Sequence, residues 1–96
     1  MAVGEALQLA LDLSRFAYAL AASQQPAQAA KLLGSSEALR ASIGATFLPW
    51  AVRLIARTRA AIRDQLDEIV FEDAWQQGLK LTPSEAVALA LGSAMS

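Results

Sequence analysis

Three prolines and three of the five glycines punctuate this chain, and their placement limits its fold more than any other feature. Pro26, Pro49 and Pro83 each stand where a helix can begin, and Gly44, Gly78 and Gly92 each stand where one can end. Proline suits the first helical turn because its missing N–H has no partner there, whereas glycine enters the left-handed turn that closes a helix. The spacing predicts five helices, over 5–23, 26–43, 49–65, 68–77 and 83–91. Composition points the same way, since 22 Ala and 15 Leu stand against 11 Val, Ile and Thr, a balance that favours helix over strand. No stretch alternates in the manner of a strand. The expected fold class is therefore all-α: one domain over 1–96, with a helical hairpin in 1–45 and shorter capping helices in 46–96.

Two helix starts carry a specific chemical signal. In Thr82-Pro83-Ser84-Glu85, Thr82 can cap the helix while Glu85 returns a bond to its backbone amide, a reciprocal capping box. Asp67 is placed to cap Glu68–Gln77, which Gly78 would close. Gly34, followed by Ser35, Ser36 and Glu37, is the ambiguous point. A fresh cap there would break the second helix, but the apolar spacing through Leu32, Leu33, Ala38, Leu39 and Ile43 favours a continuous one.

The residues that are missing narrow the chemistry. With no Cys and no His, the chain offers no disulfide, thiol nucleophile, imidazole base or ordinary zinc site. There is no nucleophile with a base and no carboxylate pair with a cleft to raise one pKa, so the reading is not an enzyme, with no cofactor and no metal. A net charge of -1 calls for neither a polyanion nor an anionic membrane. The N-terminal apolar stretch lacks a basic leader and is interrupted by Glu5, Asp12 and Arg15, and no run of about 18 uncharged apolar residues occurs. The expectation is a cytoplasmic, soluble chain.

Helix 1, turned at 100° per residue, is apolar around most of its circumference. Leu7, Leu11 and Tyr18 form one cluster; Leu9, Leu13, Phe16 and Leu20 form another nearly opposite; Ala10, Ala17 and Ala21 fill the arc between. Only Gln8, Asp12 and Arg15 form a polar strip. Such a helix is normally sandwiched, so the expectation is that a neighbouring repeat or a second copy packs outside it, on Leu9, Leu13, Phe16 and Leu20.

From helix 1 into helix 2 the chain reads LDLSRFAYALAASQQPAQAAKLLGSSEALRASIG, which resembles one tetratricopeptide-type hairpin. The resemblance puts its small positions on Ala17 and Ala29 and its large apolar position on Leu33. Departures are Leu20 for the usual aromatic, Leu13 for Trp, Ser36 for Ala, and Gln24-Gln25 in the turn. A longer resemblance lies in the order of three segments: KLLGSSEALR, a proline-led basic helix, then LDEIVFEDAWQQGLKLTPSEAVALAL. This order is similar to the C-terminal end of the tetratricopeptide region in large bacterial regulators, among them LuxR-type and AfsR-like signalling ATPases. The matching residues are Leu32, Leu33, Gly34, Glu37, Ala38, Leu39, Arg40, Phe71, Trp75, Gly78, Thr82, Glu85 and Ala86. The resemblance implies a non-catalytic interaction or assembly module of a transcriptional or signalling regulator. It implies no ATPase or DNA-binding activity here, since the chain has no G-x-x-x-x-G-K-[ST] phosphate loop and no recognisable regulator DNA-binding segment.

Phe71 and Trp75, four apart, suit core packing of a short helix better than a ligand stripe. Trp50, at the start of helix 3, suits either a cover for the end of helix 2 or an interaction surface. Arg53, Arg57, Arg59 and Arg63 are the alternative site, a basic helix 49–65 for nucleic acid. Against it, Asp64, Asp67, Glu68, Glu72 and Asp73 lie close behind in the chain, Arg63 and Asp67 stand at pairing distance along a helix, and the four arginines spread over about 160° of arc. Asp64, Glu68 and Glu72 step down one face but lack the loop carbonyls of a cation cage. The favoured partner is thus a protein or neighbouring repeat, with a homodimer open, and neither nucleic acid nor membrane.

Overall fold

The computed structural model describes residues 2–95, so Met1 and Ser96 at the two ends of the expected domain lie outside the described residues. It is all-helical, with α1 Val3–Ala22, α2 Pro26–Ser42, α3 Pro49–Gln65, α4 Glu68–Leu79 and α5 Pro83–Met95. Each proline opens its helix as expected. Asp67 caps α4, its carboxylate accepting from the Val70 amide at 3.1 Å. Thr82 and Glu85 close the capping box: the Thr82 amide donates to Glu85 Oε1 at 2.9 Å and the Glu85 amide to Thr82 Oγ1 at 3.2 Å. Because Asp67→Ala leaves that helix-end amide without its carboxylate, it should cost about 1 kcal/mol, a fall of about 4–8 °C in melting temperature for a domain this size. Thermal unfolding followed by circular dichroism checks it.

Of the three glycines, only Gly44 performs the expected stop, adopting φ 64° just after α2. Gly78 does not close α4; the helix runs on to Leu79 with Gly78 buried inside it. Gly92 lies within α5. α2 passes through Gly34 without a break.

α2 is the centre of the molecule and packs against each of the other four helices. Ala29, Ala30, Leu32, Leu33, Gly34, Ser35 and Ser36 are all buried. Small side chains permit this, because they let several helices approach one axis closely. The two buried serines keep their hydroxyls satisfied on the neighbours: Ser36 donates to the Ala10 carbonyl of α1 at 2.6 Å, and Ser35 donates to the Gly78 carbonyl of α4 at 2.9 Å. At the α2–α4 crossing two backbones meet. A Cβ on Gly34 would lie 2.6 Å from the Trp75 carbonyl oxygen, and one on Gly78 would overlap the Lys31 carbonyl, 2.8 Å from its carbon.

α1 is sandwiched inside the fold. It packs on α2, with α3 along one flank and α5 along the other. The expectation that a second molecule must cover Leu9, Leu13, Phe16 and Leu20 is therefore corrected: Leu13 and Leu20 belong to the core, and Leu9 packs against it from its edge. Only Phe16 of the four is exposed. The predicted hairpin residues Ala17, Ala29 and Leu33 are buried between α1 and α2, whose turn places Gln24 at φ 65°. No described helix is long and apolar enough to cross a membrane.

Candidate functional site

α1 and α3 run side by side in the same direction, and the seam between them is open. Near their N-terminal ends Gly4, Leu7, Gln8, Leu11, Phe47 and Trp50 line a hollow of about 380 Å³. Further along, Tyr18, Ala22, Arg57 and Ala61 line a second of about 310 Å³. The Gln65 side chain closes the far end by donating to the Ala21 carbonyl of α1 at 3.0 Å.

Helical spacing explains why this seam is apolar yet unfilled. Gly4, Leu7, Leu11 and Tyr18 share one stripe of α1, and Trp50, Arg57 and Ala61 share one stripe of α3. Glycine and alanine at intervals leave room between the larger side chains. Trp50 is 43% exposed, Tyr18 53% and Leu48 65%, which is unusual for side chains gathered along one groove. The Trp50 ring lies under the Arg15 guanidinium of α1, 5.7 Å from the centroid. The 43–48 connection that carries Phe47 and Leu48 is tied down by Arg40, which donates to the Ala45 carbonyl at 2.6 Å and pairs with Glu37. The hydrogen bond with Glu37 raises the Arg40 pKa above its ordinary value, so the guanidinium of this clamp stays charged.

The four arginines of α3 do not form one surface. Arg59 lies over Trp75 at 4.5 Å and over Phe71 at 5.7 Å, and Arg63 lies over Phe71 at 5.0 Å. These two bind α3 to α4 by cation–π contact. Arg63 also pairs with Glu68 at 2.9 Å rather than with Asp67, because α3 ends at Gln65 and Asp67 has turned to cap the next helix. Arg57 instead lines the second hollow of the α1–α3 seam, and Arg53 lies one helical turn before it on α3. Phe71 is fully buried and stacks on Trp75 with centroids 6.0 Å apart, so this pair is core, as its spacing suggested. Among the described residues no group of acidic side chains is arranged to hold a metal ion.

Sequence reasoning found Trp50 and the basic helix but missed the groove itself, which α1 and α3 form only when folded side by side. The one signal in the sequence was the Leu7, Leu11, Tyr18 cluster on helix 1, matched by Trp50, Arg53 and Arg57 at helical spacing on helix 3. No family model, no curated protein and no solved structure matches the chain.

Proposed function

We propose that this chain is a non-catalytic protein-interaction module whose α1–α3 groove receives an acidic, amphipathic helix of a protein partner. The observation that carries the reading is the groove itself: Leu7, Leu11, Tyr18 and Trp50 offer apolar surface beside two hollows, Arg57 lines the second hollow, Arg15 lies over the Trp50 ring, and Arg53 stands one turn before Arg57 on α3. Among the described residues none of these three arginines is in an ion pair. Partly exposed aromatics and arginines of this kind are the side chains that dominate protein interfaces. The sequence resemblance supports the same class of role, at the end of a tetratricopeptide region in a larger bacterial regulator, where the module would serve assembly.

A labelled helical peptide with leucines on one face and glutamates on the others should bind, as read by fluorescence anisotropy. The double variant R53E/R57E should weaken it at least tenfold, about 1.4 kcal/mol. Duplex DNA is the opposing probe. Binding of DNA that falls with R53E/R57E, together with no response to the peptide, would overturn the protein-interaction reading in favour of the nucleic-acid one.

A further inference from the structure

The chain carries on another face the chemistry its groove would accept. The outward stripe of α4 holds Glu68, Ile69, Glu72, Asp73 and Gln76, all exposed. Ile69 is 82% exposed, the highest value among the described large apolar side chains. It stands as an apolar knob in an acidic setting. Glu72 and Asp73 are steadied by the amides of Gln76 and Gln77, which donate to them at 3.0 and 2.8 Å, yet among the described residues neither is in an ion pair. Within one molecule the stripe and the groove cannot meet, because α4 contacts α3 through Arg59 and Arg63, on the flank opposite the seam.

Resting on the reading of the α1–α3 groove as a protein-binding surface, we infer that its occupant is α4 of a second copy of this chain, with Ile69 entering the groove beside Trp50 and Glu72 and Asp73 facing Arg53 and Arg57. Two different surfaces then meet, so the contact is head-to-tail and each copy retains a free groove at one end and a free α4 at the other. Such a contact grows with concentration unless it closes into a ring. Opposite charges at the rim make it weaken with salt, as the screening length contracts from about 30 Å at 0.01 M to about 3 Å at 1 M.

Light scattering on the full chain at low salt tests this. The mass should rise past that of a dimer over about a hundredfold range of concentration and return to monomer in high salt. R53E/R57E, with a broken groove, and I69D, with a broken knob, should each be monomeric with unchanged helicity. Mixed together they should form a complex of two chains and no larger, because one intact groove and one intact α4 remain. A wild-type chain that is monomeric throughout at low salt, or a mixture that stays monomeric, would overturn the inference. If the monomeric chain still binds the acidic peptide, self-association alone falls; if it binds neither, the groove reading falls with it.

Discussion

Gly78→Ala should destabilise the protein by about 2 kcal/mol or more, although substitution of glycine by alanine within a helix ordinarily stabilises by about 0.8–1.0 kcal/mol. The sign reverses because the new methyl group has no free space. It would overlap the Lys31 carbonyl of α2, and the nearest atoms are all backbone, so no side chain can rotate away. Overpacking of this sort costs about 1–3 kcal/mol even where side chains can adjust. Here α2 and α4 must separate, which also strains the 2.9 Å bond from Ser35 to the Gly78 carbonyl. The control is Gly92→Ala in α5, where a Cβ meets nothing within 4 Å; it should stabilise by about 0.5–1 kcal/mol. Chemical denaturation of both variants decides the matter. Equal and small stabilisation of the two would mean that α2 and α4 do not cross at these glycines.

Phe71→Ala should cost about 3–5 kcal/mol. Phe71 is fully buried, the largest such side chain in the described core, and its loss opens a cavity where α4 meets α2. It also removes the ring that Arg63 covers and one of the two that Arg59 covers. A small domain has about 5–15 kcal/mol in all, so this single change brings the chain close to unfolding at ambient temperature. Trp75→Ala should cost less, since Trp75 is only partly buried. A reversed order would mean that the stacked pair is anchored by its outer ring.

The legibility of these features in the sequence depends on the range of the interaction that creates them. Helix starts were readable because a proline, Asp67 or Thr82 acts within its own first turn. Helix ends were less so. Gly44 and Gly78 look alike locally, yet one turns left-handed and the other stays helical, since the determinant of Gly78 is Lys31, far away in the chain. Helix 1 was rightly seen as two-sided, but the covering elements are α3 and α5 of the same chain, whose positions depend on how α2 gathers its neighbours. The central role of α2 was hidden by its Ala, Gly and Ser content, which shows little amphipathic contrast. The split of the arginines has the same origin: Arg59 and Arg63, four apart, meet Phe71 and Trp75, four apart, only after the chain reverses between α3 and α4.

Whether the α1–α3 groove binds an acidic helix can be read residue by residue from backbone amide chemical shifts, measured by nuclear magnetic resonance while the acidic peptide is titrated in. Binding in the groove should give saturable shifts concentrated at Leu7, Leu11, Tyr18, Trp50, Arg53 and Arg57, with α5 and the α2–α4 crossing unmoved. Saturable shifts centred on α5 or on Phe16, with the seam silent, would contradict it.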